Sequence, residues 1–315
     1  MDDCSGHGHG TVVYMAVVET HELTKLYGSK TGCRDVSITC RKGEIFGFLG
    51  PNGAGKSTFV KMLTGLLFPT SGEAYILGKP AGDVGARQKI GYLPENFKYQ
   101  EWMTGEDLLS FHASLYRLDK RKSRLRMEEV LDIVGLKGSE RYKIGTYSKG
   151  MQQRIGIASS LLSDPEVLFL DEPTSALDPV GRKEVRDLML HLRDGGKTVF
   201  LNSHLLGEVE NICDRIAIIK SGRILRQGSM EDILEGRAML HIQAGNLAPS
   251  ALARLRELDP QLACSGDSVE MTVAGKDQIP SVARLLLEQG CDIYELVSRR
   301  ESLESLFISL VKGDD

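Results

Sequence analysis

The chain has 315 residues, enough for two domains, and its 41% apolar and 26% charged residues are those of a globular protein able to bury a core. A net charge of −4 spreads no positive field for a polyanion, so nucleic acid is not an expected partner. No apolar stretch approaches the roughly 18 residues that cross a bilayer, and the start, with Asp2, Asp3, His7 and His9, lacks a signal peptide's basic-then-apolar layout, so a cytoplasmic protein is expected.

Residues 1–14 read as a flexible lead in which His7 and His9 take no role. Val12 to Glu22 and Asp35 to Leu49 read as β-rich, bounded by Gly28, Gly32 and the Lys42-Gly43 turn. The apolar run Ile45 to Leu49 then enters Gly50-Pro51-Asn52-Gly53-Ala54-Gly55-Lys56-Ser57-Thr58, a G-x-x-x-x-G-K-[ST] loop ahead of the helix-like Phe59 to Leu63. Such a loop leaves backbone N–H groups free to converge on phosphate oxygens at a helix N-terminus. Lys56 reaches the β- and γ-phosphates, and the Ser57 hydroxyl suits Mg²⁺. Binding of a nucleoside triphosphate follows.

Residues of about 96–146 change to a helical pattern, with Leu108, Leu109, Phe111, Leu115, Leu125, Val130, Leu131 and Val134 near three-to-four spacing, and read as a helical insert. Its basic run, Lys120 to Arg126, reads as a solvated helix face in an acidic chain. A second α/β half follows: the all-apolar strand Val167 to Leu170, a helix near Val180 to Leu192, and the strand Thr198 to Asn202. Strands apolar on both faces imply a parallel sheet covered on both sides. The first of them ends in Asp171-Glu172-Pro173. Asp171 there sits beside the metal held by Ser57, and Glu172 is placed to orient and deprotonate an attacking water, with charge stabilisation from Lys56 and the metal.

Ile216 to Ile219, Ser221-Gly222 and Ile224-Leu225 suggest a closing hairpin, and the pattern changes again near Glu235 to Arg237. A domain of residues 15–235 and a smaller one of 236–315 are therefore expected. The smaller one alternates strands (Met239 to Ala244, Ser268 to Ala274, Asp292 to Val297) with helices (Pro249 to Leu258, Ile279 to Glu288) in a βαββαβ order with a final short helix. It reads as dimer-stabilising or regulatory. The six cysteines contain no C-x-x-C pair, so neither a zinc site nor a disulfide framework is expected.

With these elements stand Tyr147-Ser148-Lys149-Gly150-Met151-Gln152-Gln153-Arg154 upstream of the acidic pair and Ser175-Ala176-Leu177-Asp178 downstream. Over roughly residues 15 to 235 the chain thereby resembles the ATP-binding cassette (ABC) ATPases. The resemblance implies an α/β P-loop NTPase cassette with a RecA-like α/β core, a β-rich N-terminal subdomain and a helical insert, followed by the small α+β domain. It implies ATP and Mg²⁺ as ligands. Gly50 to Thr58 would cradle phosphate, with Lys56, Glu172 and His204 catalytic. Tyr27 would stack on adenine, and Ser57, Asp171 and Glu95 would serve the metal. His204 would contact the γ-phosphate, and Asp178 would shape the loop that carries communication between facing sites; Asp178 read without the family is a helix N-cap.

The family signature is usually Leu-Ser-Gly-Gly-Gln. Ser148 and Gly150 match it and are suited to touching a γ-phosphate, whereas Tyr147, Lys149 and Met151 depart, and Met151 cannot supply a glutamine's hydrogen bonds. That loop closes on the nucleotide of a facing cassette, which implies a second copy or a similar cassette in a head-to-tail pair. Glu95 stands where glutamine is most frequent. Together with Tyr-Ser-Lys-Gly-Met, it is similar to the ABC-2 branch of exporter-type cassettes. Such cassettes drive separate transmembrane permease subunits from the cytoplasmic face of the membrane. The aromatics Tyr99, Trp102 and Phe111 then either receive a helix of the membrane subunit or pack the insert. The alternative is a soluble ABC ATPase acting on a non-transport macromolecule. Those of translation usually carry two cassettes in one chain and those of chromosomes a long coiled coil, and neither is visible.

Overall fold

A computed structural model describes residues 15–234, 238–273, 276–300 and 302–312; the expected lead at 1–14, with His7 and His9, lies outside them. The chain divides into two compact units, one ending at Leu225 and one beginning at Arg226, so the divide falls within the closing hairpin rather than near residue 235.

The first unit opens with the antiparallel strands β1 (Ala16–Tyr27), β2 (Lys30–Val36) and β3 (Thr39–Arg41), followed by β4 (Ile45–Leu49), α1 (Lys56–Leu63), β5 (Ser71–Ile76) and β6 (Lys79–Pro80). One sheet has the order β2-β1-β5-β6, with β3 also on β1. β1 runs past the expected end at Glu22 because that residue takes φ 47° and the strand continues to Tyr27 through register shifts. After α2 (Val84–Arg87) and β7 (Ile90–Leu93) come the insert helices α3 (Gly105–Leu115) and α4 (Lys120–Ile133), then α5 (Lys149–Leu161). Their starts are set by side chains: Thr104 and Asp107 form a capping box on α3, Asp119 caps α4 and Ser148 caps α5. Most of the basic run on α4 is exposed, as expected of a solvated face.

β8 (Val167–Asp171), α6 (Pro179–Asp194), β9 (Thr198–Ser203), α7 (Leu206–Ile212), β10 (Arg215–Lys220) and β11 (Arg223–Ser229) complete a six-stranded sheet of order β11-β10-β4-β9-β8-β7. Its β10-β4-β9-β8-β7 portion is parallel. β4, β8 and β9 are buried along their whole length, which is what their unbroken apolar runs require. One continuous core joins the two sheets through Phe59, Val60, Met62 and Leu63 of α1. At its centre Phe200 packs against Phe46, Phe48, Phe59 and Phe169, with ring centroids between 5.4 and 6.3 Å.

The second unit holds α8 (Met230–Leu234), β12 (Ala238–Gly245), α9 (Pro249–Leu258), β13 (Ala263–Ser265), β14 (Ser268–Val273), α10 (Ile279–Glu288), β15 (Asp292–Arg300) and α11 (Leu303–Lys312). An antiparallel sheet of order β13-β14-β12-β15 carries α9 and α10 on a core of Leu240, Ile242, Leu255, Val269, Val282 and Leu286. The order is the expected βαββαβ with a terminal helix, but one of its four strands, β13, is not among the three that the sequence names; Ala274, the expected end of one strand, lies outside the described residues.

Because Phe200 is fully buried and touches four other rings, Phe200→Ala is expected to cost about 3–5 kcal/mol. Urea unfolding of wild type and variant, followed by near-UV circular dichroism, measures it; a cost below about 1 kcal/mol would mean that the ring cluster does not organise this core.

Candidate active site

β4 delivers the chain into the phosphate loop, and the backbone there is shaped for glycine. Gly55 takes φ 105° just before α1, and a Cβ on it would collide with the carbonyl oxygen of Gly32 in β2. The loop is therefore pressed against β2, and the β10–β11 turn holds both: Gly222 N donates to Ala54 O at 3.0 Å, and Arg34 N to Gly222 O at 2.7 Å. Asn52 and Gly53 remain exposed. They face a cavity of about 480 Å³ that Tyr27, Gly55, Lys56, Ser57, Thr58, Glu95 and Glu172 also line. Gly50, Pro51 and Ala54 do not line it. Gly50 O and Pro51 O accept from Lys56 Nζ at 2.8 and 3.5 Å.

Lys56 is buried, and its ammonium lies 3.8 Å from Glu172 Oε1. Burial pushes its pKa down, against the upward pull of Glu172, Asp171 and Glu95. Asp171 ends β8 directly opposite Asn202 of β9, whose Nδ2 donates to Asp171 Oδ1. The Ser57 side chain also hydrogen-bonds the Asp171 carboxyl. Burial nevertheless raises the Asp171 pKa, because those two hydrogen bonds offset only part of the lost hydration. Tyr92, half-buried close by, is pushed up to about 12 by burial and by the Asp171 and Glu95 charges. The Ser57 hydroxyl, the Asp171 carboxyl and Glu95, on the exposed loop after β7, are hard oxygen donors of the kind Mg²⁺ takes one or two at a time.

Glu172 sits in the left-handed backbone region at φ 53°, where its N–H donates to Asn202 O at 2.8 Å. Non-glycine residues there carry strain of order 1–3 kcal/mol, a cost retained where geometry serves function. The turn aims one carboxylate at two partners. Oε1 faces Lys56, and Oε2 accepts from the backbone N–H of His204 at 3.4 Å and lies 2.7 Å from its Nδ1. A buried carboxylate held this way is a positioned proton acceptor, and His204, 41% exposed at its side chain, reaches from it towards solvent.

Tyr27, at the end of β1 and 47% exposed, offers an open ring face at the cavity, with Lys25 Nζ 5.5 Å from its centroid. A Cβ on Gly32 would come within 2.9 Å of the ring, so Gly32 leaves the space that Tyr27 occupies. Ser148, Gly150 and Asp178 are not part of this cavity; they line a separate recess of about 540 Å³ formed by the starts of α5 and α6. Ser148 Oγ accepts from Met151 N at 3.2 Å, and Asp178 Oδ1 from Gly181 N at 2.7 Å, so Asp178 is the N-cap that its bare sequence suggests. Of the insert aromatics, Tyr99 packs on Phe97 and contacts Ser159 Oγ, while Trp102 and Phe111 are 70% and 53% exposed. The sequence reading passed over Lys30, Thr31 and Gly32 as cavity walls and Asn202 as the partner of Asp171. Only Asn202 carried a signal, as an amide at the end of an apolar strand.

A family model for ABC transporters matches residues 33–175. An uncharacterized ABC transporter ATP-binding protein of Nostoc is 39% identical over 95% of this chain and 91% of its own length. The chain belongs to the ABC transporter ATP-binding proteins. The bacitracin transport ATP-binding protein of Bacillus licheniformis is 33% identical over 94% of this chain and 98% of itself. Among solved structures, a dimeric ATP-binding cassette in a post-hydrolysis state, bound to ADP and Pi, matches with a TM-score of 0.61 and 28% identity over 68% of this chain and 98% of that one. The cassette is thus a P-loop ATPase, the ATP-binding subunit of a transporter. A cavity of about 480 Å³ opens around its glycine-rich loop, a size within the range of small-molecule sites.

Gly55→Ala adds a backbone strain of about 1–2 kcal/mol to the collision with Gly32 and is expected to weaken ATP binding at least about tenfold in equilibrium dialysis. Gly207→Ala, whose Cβ meets nothing within 4 Å, serves as the control and is expected to hold its affinity within about twofold. Equal affinities for the two variants would contradict a phosphate cradle at Gly55.

Proposed function

We propose that this cassette powers an ABC-2 type exporter, pairing head to tail with a second copy or a similar cassette beneath separate transmembrane permease subunits on the cytoplasmic face of the membrane. The observation that carries the reading is the separation of the two half-sites. Lys56 and Glu172 line one cavity, with His204 against Glu172, while Ser148 and Gly150 line another, so one chain presents the two complementary halves of a composite site. A mate turned head to tail would bring its Ser148 loop onto the nucleotide held at Lys56. Among the described residues no helix is long and apolar enough to cross a membrane, which supports placing the permease in other chains. Bacitracin transport, in the name of a relative that aligns over nearly its whole length, supports transport as the task.

In this reading Tyr27 stacks on adenine, the N–H groups of Gly53 to Thr58 take the phosphates, and Lys56 exchanges its loop carbonyls for phosphate oxygen. Ser57 and Asp171, with Glu95, would hold Mg²⁺, which would supply positive charge against the triphosphate. Glu172 accepts a proton from the attacking water, and His204 keeps that carboxylate turned towards the reaction while contacting the γ-phosphate. Asp178, capping α6 at the recess, shapes the loop between the two facing sites. The small second domain, taken as 236–315, contributes to dimer stability or regulation.

Glu172→Gln removes the proton acceptor and keeps the shape. Turnover is expected to fall about 10²–10⁴-fold with ATP affinity preserved. The variant is also expected to form a dimer on ATP addition, seen by light scattering. A variant that hydrolyses normally, or stays monomeric at saturating ATP, would overturn the reading.

A further inference from the structure

We propose that Arg154 is a positioning residue that fixes the Ser148–Met151 loop by clamping three helices together beneath it; the inference rests on the head-to-tail reading of the composite site. Arg154 lies on α5 four residues after Gly150, so the two share a helix face. Its Nη1 donates to Val134 O at 3.1 Å and Gly135 O at 3.2 Å, the carbonyls that end α4 of the insert. Its Nη2 lies 3.6 Å from Glu184 Oε2 on α6. One guanidinium therefore joins the end of an insert helix, the signature helix and the helix that follows the acidic pair.

The chemistry selects arginine. Free carbonyls at a helix C-terminus attract a cation, and only a planar fork satisfies two of them while presenting a further N–H to a carboxylate in another direction. The Arg154 side chain is 17% exposed and its Nε is buried without a hydrogen-bond partner, so the group is held in place by the fork alone. Gly135, at φ 65°, ends α4 where a Cβ would press within 3.2 Å of Arg154 Nη1, which keeps the approach open.

The clamp lies at the recess itself. Arg154 and Glu184 both line it, and the nearest neighbours of a Cβ built on Gly150 are Glu184 Oε2 at 3.9 Å and Gly181 Cα at 4.0 Å. The ion pair thus spaces the N-terminus of α5, capped by Ser148, from that of α6, capped by Asp178. Those N-termini are what one chain offers to the nucleotide of the other. Displacement of the insert reaches them through Arg154, because the fork has no second way to hold both the end of α4 and Glu184 of α6.

The test uses the full chain carrying Glu172→Gln, with Arg154→Lys or Glu184→Gln added. ATP affinity of the monomer, which is set at Lys56, is expected to stay within about twofold. The ATP concentration for half-maximal dimerisation is expected to rise about tenfold for Arg154→Lys, the size of one charge-assisted hydrogen bond, and less for Glu184→Gln. Amide exchange in the monomer is expected to quicken at Met151 and Gln152 and to stay unaltered at residues 53–57. Dimerisation of Arg154→Lys at the parent's ATP concentration would overturn the proposal. If the Glu172→Gln parent itself never dimerises, the pairing reading fails; unaltered exchange at Met151 and Gln152 in Arg154→Lys then overturns the clamp independently.

Discussion

The site depends on burying an ammonium and two carboxylates at the end of a sheet that is otherwise apolar. Lys56, Asp171 and Glu172 are each less than 9% exposed, and none has enough water to keep its charge unaided. They hold it through one another and through backbone. Lys56 faces Gly50 O and Glu172, Glu172 faces His204, and Asp171 faces Ser57 and Asn202. Such a set is worth little as a stabiliser, since desolvation takes back most of the attraction. The raised pKa of Asp171 has a definite sign: the fold holds this proton more tightly than the unfolded chain does, so ionising it loses stability as pH rises through the folded pKa. A divalent cation opposite that carboxylate would reverse the balance, so that binding metal and phosphate together would offset the cost of burying it.

The parallel sheet makes this affordable by rigidity. Asp171 and Asn202 are register partners on neighbouring buried strands, so the carboxyl is aimed by the sheet, not by a loop. Glu172 is one residue further on, past the last ladder position, and the backbone turns to φ 53° to point it at His204. Strand end, strained turn and His204 therefore form one mechanical unit, with the Phe200 ring cluster packed beneath it. Placing the reactive groups at the C-terminal ends of parallel strands follows the general rule for such sheets.

Much of this was legible because the informative residues are neighbours in the chain. The glycine-rich loop, the acidic pair and the His204 turn each show their chemistry within a few residues. The helices Pro249–Leu258 and Ile279–Glu288 coincide residue for residue with their expected bounds, since proline near each N-terminus and a change of pattern at each C-terminus mark them. β13, three exposed residues, has no apolar periodicity to announce it. β5, β6 and α2 are short and glycine-punctuated and left no trace in a window-based reading. Gly32 and Asn202 were missed for a different reason. Each acts on a residue distant in sequence, and a pattern of local spacing carries no information about which backbone approaches which.

The departures at the signature show how a motif can change its letters and keep its geometry. Tyr147, where the family usually has leucine, is 5% exposed and donates its hydroxyl to Ser139 O at 2.7 Å, so it fills the same apolar position and adds an anchor to the loop after the insert. Met151 lacks an amide, but its own N–H is the donor that Ser148 Oγ accepts in capping α5, a task indifferent to the side chain. Gln152, the next residue, carries an amide whose Nε2 lies 3.4 Å from both Ile144 O and Tyr147 O, tying the helix start to the turn before it. What a signature must conserve physically is a capped helix N-terminus with little bulk at Gly150. Those two requirements are met here by Ser148 and by the open space around Gly150, so the altered residues adjust how the loop is fastened to the insert and leave the capped start of α5 open.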